Sequence, residues 1–167
     1  MAKRVVSVKL GSGSIGDAIT KLREYKTWAQ RKATELARRL AELGEGEAKV
    51  RFAGAEYDGE KDVSIKVKQI PGGYSIQANG SAVFFIEFGA GVYYNGSEPY
   101  PEPRPSGIVG IGEYGQGKGK RKAWGFYDSS GELVITHGNP AAMPMLRADS
   151  LMRQNIERIA KEVFSGD

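Results

Sequence analysis

Apolar residues recur at helical spacing near the beginning of the chain, over residues 15–43. The members of this stripe are Ile15, Ile19, Leu22, Ala29, Ala33, Leu36, Leu40 and Leu43. Ser14 followed by Asp17 is typical of a helix N-terminus, and Gly44 is typical of a helix C-terminus. The pattern predicts a helix over residues 14–44, about 45 Å long at ~1.5 Å per residue. That length exceeds the diameter of a small domain, so we expect part of the helix to project or to pack on a neighbouring subunit.

Alternating apolar and polar positions follow over residues 47–88, in segments at 48–56, 62–69 and 74–78. Short turn-forming sequences separate the segments: Asp58-Gly59, Pro71-Gly72-Gly73 and Asn79-Gly80. This arrangement predicts a four-strand antiparallel meander. Its last segment, residues 82–86, is apolar at every position. Because an alternating strand has one wet face, this run predicts a central strand or a strand that contacts another subunit.

The rest of the chain predicts a long loop, a hairpin and a final helix. Residues 89–122 hold nine glycines and four prolines, and a loop of this length is usually disordered or functional. Two short apolar segments flank a turn over residues 123–137, and an amphipathic stripe covers residues 144–164. The predicted fold is therefore a single α+β domain over residues 1–167, with an antiparallel sheet, a long N-terminal helix and a C-terminal helix.

Composition excludes several classes of site. The chain has no cysteine and one histidine, which excludes a disulfide scaffold, a thiolate metal site and a multi-histidine metal site. No apolar run approaches the ~20 residues that a membrane span needs, so we expect a soluble intracellular domain without a signal peptide. The net charge is +4, and the basic excess lies in the first quarter of the chain. No cofactor is expected.

Two motifs resemble catalytic sites and fail on inspection. Residues 112–118 match the spacing of a phosphate-binding loop, but Gly119 stands where a serine or threonine should bind magnesium. His137 offers a hydrolase interpretation with Ser129 or Ser130 and Asp128 in the same hairpin. Nothing there resembles a nucleophile elbow, so we interpret His137 as a structural residue and the protein as a non-enzyme. Glu87 follows five apolar residues, and we expect it to be partly buried and paired with an arginine of its own or another subunit.

A cationic cluster beside aromatic residues offers a nucleic-acid interpretation. The cations are Lys118, Lys120, Arg121 and Lys122, and the aromatic residues are Trp124, Phe126 and Tyr127. Cations of this kind contact phosphates, and aromatic rings stack on bases. Trp124 and Phe126, however, alternate along a predicted strand and are typical of core positions. A nucleic-acid-binding module that uses residues 118–127 and the basic helix is thus the alternative function, and a protein-docking surface is the other use of the cluster.

Three segments together resemble a known family. The first motif segment is residues 57–65, the second is residues 82–94 and the third is residues 138–148. Their sequences begin Tyr57-Asp-Gly-Glu-Lys-Asp, Ala82-Val-Phe-Phe-Ile-Glu87-Phe-Gly89-Ala-Gly91 and Gly138-Asn-Pro-Ala-Ala-Met-Pro144-Met-Leu-Arg147-Ala. In this order they resemble the small tail-component proteins, also called neck or tail-completion proteins, of tailed bacteriophages and prophages. The family's pattern Glu-Phe-Gly-Thr-Gly has alanine at the fourth position here.

The resemblance implies a structural role in a virion, at the neck or proximal tail, with assembly in the cytoplasm of a bacterial host. Members of that family form a ring at the head–tail junction, which we expect to be six-fold or a multiple, to contact other neck and tail proteins and to let DNA pass. No membrane partner is expected. The candidate interface residues are Phe84, Phe85, Glu87, Phe88, Gly89, Gly91, Tyr93 and Tyr94.

Overall fold

The computed structural model describes residues 12–90 and 123–165. Its elements in chain order are helix α1 (Ser12–Gly54), strands β1 (Ser64–Ile70) and β2 (Gly73–Asn79), helix α2 (Val83–Phe88), strands β3 (Trp124–Tyr127) and β4 (Leu133–Thr136), and helix α3 (Pro144–Ser165). The predicted mixture of helix and sheet, with a long first helix and a C-terminal helix, is confirmed. The predicted four-strand meander is wrong, because the described strands form two separate antiparallel pairs, β1–β2 and β3–β4.

Helix α1 continues past its predicted end at Gly44 and through the first predicted strand. Its 43 residues span about 65 Å. Ala48 and Phe52 are buried one helical turn apart, whereas Val50, between them, is 69% exposed. Gly44 lies inside the helix, and a Cβ on it would meet Ile76 Cδ1 at 2.6 Å. This glycine therefore permits close packing and does not end the helix, and the sequence alone cannot separate these two uses.

Helix α3 packs antiparallel to α1. Met152, near the middle of α3, approaches Gly44 of α1. Near the C-terminal end of α3, the ring of Phe164 meets the ring of Trp28 edge-on, with 5.8 Å between the ring centroids. Between these contacts, Arg39 and Glu162 form an ion pair at 3.7 Å. The amphipathic stripe predicted over residues 144–164 thus corresponds to a helix that buries one face against α1.

The predicted antiparallel hairpin β1–β2 is confirmed, and its turn is Pro71-Gly72. Ile65 pairs with Ala78 and Val67 with Ile76. Ile65 and Val67 are half-buried while the lysine between them, Lys66, is exposed, so the sheet covers α1 with one face. The alternation of apolar and polar residues therefore identified both the strands and the buried face.

Helix α2 replaces the predicted strand over residues 82–86. Five apolar residues in succession have no period that separates a buried strand from a short buried helix, so the pattern is compatible with both. Ile86 and Ala82 are fully buried, and they form the core with Ala48, Phe52 and Ala148. The core therefore lies where α1, α2 and α3 meet.

Candidate functional site

Glu87 joins α2 to the beginning of α3. Its Oε2 accepts a hydrogen bond from the backbone amide of Met145 at 2.8 Å, and its Oε1 accepts one from Leu146 at 3.1 Å. The first amides of a helix have no partner within the helix and carry partial positive charge, so one carboxylate satisfies two of them. Glu87 is 4% exposed, as its position after the apolar run predicts. Here it acts as a helix cap supplied by a distant segment.

The backbones of the second and third motif segments also bind each other. The amide of Ala90 donates to the carbonyl of Asn139, and the amide of Ala142 donates to the carbonyl of Ile86, both at 2.9 Å. The side-chain amide of Asn139, which is buried, donates to the carbonyl of Phe85 at 2.8 Å. These bonds hold the two segments side by side without requiring them to form a regular sheet.

Gly89 is required where these segments cross. Its φ of 79° lies in the region that side chains rarely adopt. A Cβ on Gly89 would lie 2.9 Å from the backbone nitrogen of Ala141 and 3.0 Å from the carbonyl oxygen of Asn139. Because both neighbours are backbone atoms, neither can move aside as a side chain does. The glycine thus serves a backbone contact within the chain.

The first motif segment reaches the same place through Asp62. Its two carboxylate oxygens accept hydrogen bonds from the amides of Ser81 at 2.6 Å and Ala82 at 2.9 Å, directly before α2. These two bonds hold the pKa of Asp62 below its usual range. The ring of Tyr57 stacks on Phe85 at 6.3 Å, and burial together with the Asp62 charge raises the pKa of the Tyr57 hydroxyl. All three motif segments therefore meet around α2, and we call this place the motif junction.

A pocket of about 250 Å³ opens beside the motif junction, between aromatic and polar groups. Its lining includes Tyr57, Phe85 and Phe126. At its edge the Thr136 hydroxyl donates to Asp58 Oδ2 at 2.6 Å and accepts from the Gly138 amide at 3.0 Å. These bonds tie the hairpin β3–β4 to the segment that follows α1.

The hairpin that carries His137 uses its polar side chains to close its turn. Asp128 Oδ1 accepts bonds from the Ser130 hydroxyl at 2.6 Å and from the Glu132 amide at 2.9 Å. The bond from Ser130, followed by the one from Glu132, holds the pKa of Asp128 below its usual range. Ser130 thus donates to the aspartate directly, with no imidazole between them, and His137 is exposed directly after β4.

The predicted interface residues have unequal environments. Phe84 is 51% exposed and stacks on Phe88 at 6.1 Å, while Glu87, Phe88 and Gly89 are buried and Phe85 is half-buried. The remaining candidates lie outside the described residues: Gly91, Tyr93, Tyr94, Lys118, Lys120, Arg121 and Lys122. The phosphate-loop match at residues 112–118 lies outside them too.

Sequence reasoning missed the roles of Asp62 and Asn139. Asp62 caps amides 19 and 20 positions away, so no local spacing signals it. Asn139 precedes a proline near a predicted helix, which indicates a turn but not the bond to Phe85. Only Glu87 carried a signal, as a charged residue at the end of an apolar run.

The described residues show neither a metal site nor a membrane span. Within residues 12–90 and 123–165, no three acidic or histidine side chains group closely enough to hold a metal ion. None of the described helices combines the length and the apolar character needed to cross a membrane. In comparisons with protein-family models, with curated proteins and with solved structures, nothing matches this chain.

Proposed function

We propose that this protein is a structural component of a tailed phage or prophage particle and forms a ring at the head–tail junction. The observation that carries the proposal is the motif junction. Three segments that resemble one family, and that lie far apart in the sequence, pack against one another around α2. The three segments therefore form one connected structural unit, and ring formation in the neck is the function that the resemblance implies for it.

The chemistry of the motif junction supports a structural role. The side chains of Glu87, Asp62 and Asn139 reach it, and each bonds to backbone groups of another segment. Such bonds fix the relative positions of the helices, which suits a structural role. In this proposal the protein acts as a structural component that keeps its helices in fixed relative positions.

An exposed aromatic residue beside the motif junction supports contact with a neighbouring subunit. Phe84 is half exposed although it belongs to the short helix at the core. Burying a phenylalanine side chain fully stabilises an interface by about 1.5–3 kcal/mol, and a ring repeats that gain at every junction. The other partners in this proposal are neck and tail proteins, and the DNA passes through the ring.

The test is electron microscopy of particles made without this protein. In a lysate of the phage or prophage that encodes it, deletion should leave filled heads separated from tails. Complementation with the wild type should restore joined particles, and Phe84→Ser should restore fewer of them. Val50→Ser, at an exposed apolar position on α1, is the matched control and should restore joining fully. Normal infectious particles after deletion would refute the proposal.

Nucleic-acid binding is a second candidate, and one structural observation favours it. Lys21, Arg23 and Lys26 are all exposed on α1, where they could contact phosphates. If the protein binds nucleic acid, the isolated protein should bind duplex DNA at ~50 mM salt and release it as the salt concentration rises. If the protein elutes at the same position with and without DNA at low salt, this second function is refuted.

A further inference from the structure

The N-terminal part of α1 extends beyond the end of α3. The ring of Trp28 meets that of Phe164, one residue before α3 ends. Residues 12–27, here called the projecting end, continue past that contact for roughly 24 Å. Every side chain from residue 19 to residue 27 is exposed. In the described parts of the chain, the side chains of residues 15–17 and 19–27 are therefore open to solvent.

The projecting end carries an apolar stripe. Ile15, Ile19 and Leu22 are between 45% and 57% exposed, and their spacing of four and three residues places them on one face. Farther along α1 the same stripe continues through Leu36 and Leu40, which are half-buried. The stripe is therefore a packing face whose first third has no partner among the described residues.

A second apolar surface lies on the hairpin β3–β4. Tyr127, Leu133 and Ile135 are between 57% and 74% exposed and share one face, here called the outer hairpin face. The opposite face holds Val134 and Thr136, which are half-buried and buried. A two-stranded hairpin with apolar residues on both faces is typical of a surface that receives a partner.

The two surfaces cannot meet within one copy. Thr136 anchors the hairpin to Asp58, four residues after α1 ends at Gly54. Along the helix, Leu22 and Gly54 are separated by about 48 Å at ~1.5 Å per residue. The outer hairpin face and the projecting end therefore belong to opposite ends of the molecule.

The charges at the two ends are complementary. Residues 12–32 carry five basic and two acidic side chains. Residues 55–62 carry four acidic and one basic, and the hairpin segment 123–137 carries two acidic and no lysine or arginine. Among the described residues, the basic end of one copy therefore complements the acidic segments 55–62 and 123–137 of another; the cations Lys118, Lys120, Arg121 and Lys122 lie outside the described residues.

We infer that the projecting end of one copy docks on the outer hairpin face of a second copy. Such a contact joins two different surfaces, so it propagates from copy to copy and ends either in a closed ring or in a filament. Ile15, Ile19 and Leu22 lie against Tyr127, Leu133 and Ile135 of the next copy in this arrangement. Closure into a ring rests on the proposed function, whereas the pairwise contact rests on this chain alone.

The experiment blocks each surface separately in the full chain and measures mass by sedimentation velocity. One variant carries Ile19→Gln and Leu22→Gln, which keep the helix, and the other carries Leu133→Thr and Ile135→Thr, which keep the strand. The wild type should form oligomers that dissociate as the salt concentration is raised. Each variant alone should be monomeric. An equimolar mixture should form a dimer and nothing larger, because only one intact pair of surfaces remains.

Controls separate a lost contact from a lost fold. Ile156→Gln changes an exposed apolar residue in the middle of α3 and should associate like the wild type. Circular dichroism should give every variant the wild-type helix content, and the dimer in the mixture requires both variants to be folded. The inference is overturned by a wild type that stays monomeric into the high micromolar range, by a mixture without dimer, or by self-association of either variant.

The outcomes distinguish this contact from the proposed function. A dimer in the mixture together with normal particles after deletion would refute the neck function and leave the contact intact. Separated heads and tails after deletion, with a wild type that stays monomeric, would support the neck function and refute the contact.

Discussion

The carboxylate of Glu87 accepts a hydrogen bond at 2.8 Å from the backbone amide of Met145, which lies 58 positions later in the sequence. This bond couples the end of α2 to the beginning of α3, so neither helix can shift without losing it. Met143, just before α3, has a φ of 54° and is buried, and its carbonyl accepts the amide of Arg147. The third motif segment thus turns sharply to present its amides to Glu87.

Glu87→Gln should lower the free energy of unfolding by about 1–3 kcal/mol. Glutamine keeps one oxygen acceptor, so one of the two helix amides faces an NH₂ group and loses its bond. Urea denaturation measures the change. Glu157→Gln, at an exposed position on α3, should change stability by no more than about 0.5 kcal/mol. Equal effects of the two substitutions would contradict the capping role of Glu87.

Gly89→Ala should destabilise the protein by at least about 2 kcal/mol, because alanine strains the backbone at this φ and its Cβ meets two backbone atoms. Gly46→Ala is the matched control, since Gly46 lies in α1 with open space around it. That substitution should stabilise the protein by roughly 0.5–1 kcal/mol through helix propensity. The midpoint temperature of thermal unfolding should therefore fall for Gly89→Ala and rise for Gly46→Ala.

Thr136→Val should loosen the hairpin β3–β4. Valine has the shape of threonine but no hydroxyl, so Asp58 loses a donor and the Gly138 amide loses an acceptor. We expect a loss of about 1–3 kcal/mol, measured by urea denaturation, and faster amide exchange in the hairpin. Thr136→Ser keeps both bonds and should lose less. A valine variant as stable as the serine variant would show that these bonds add nothing.

Acid should destabilise the protein through carboxylates whose pKa is lowered in the folded state. Hydrogen bonds from Arg38, followed by those from Arg39, lower the pKa of Glu35 from 4.5 to about 2. A lowered folded pKa contributes stability above the unfolded pKa, and that stability is lost as the pH falls through the folded value. For Glu35 the loss falls between pH 4.5 and about 2. Urea denaturation across this range should give a flatter profile for Glu35→Gln.

Asp62 adds to the same acid dependence, because bonds from the Ser81 and Ala82 amides lower its pKa. Its contribution is likewise present above the unfolded aspartate pKa of about 3.9 and is lost below it. Asp62→Asn keeps an oxygen acceptor but cannot titrate, so its stability should depend less on pH below that value. Salt screens exposed charges, so added salt should reduce the part of the acid-dependent stability loss that comes from the ion pairs of Glu35 with Arg38 and Arg39. A profile identical to the wild type would contradict the role of Asp62 in holding the segment before α2.

The sequence predicted best those elements whose partners lie close along the chain. Ile65 and Val67 alternate with lysines and are followed by a Pro-Gly turn, so strand, buried face and register all follow from local pattern. It failed where the partner is remote. Val50 and Phe52 alternate like strand residues, but this segment is helical because Phe52 packs in the core against α2 and α3.

The candidate site divides in the same way. The position of Glu87 after an apolar run was enough to predict its burial, and the order of three motif segments was enough to suggest a function. The sequence by itself thus determined the long first helix, both hairpins, the final helix and the lack of cysteine chemistry, because each depends on residue type or on neighbours a few positions away. The tertiary structure alone decided that residues 83–88 are helical, that Gly44 is a packing contact, that Glu87 caps α3 and that Asp62 holds the segment before α2. Each of those outcomes depends on a backbone amide or a side chain contributed by a distant segment, which no local pattern encodes.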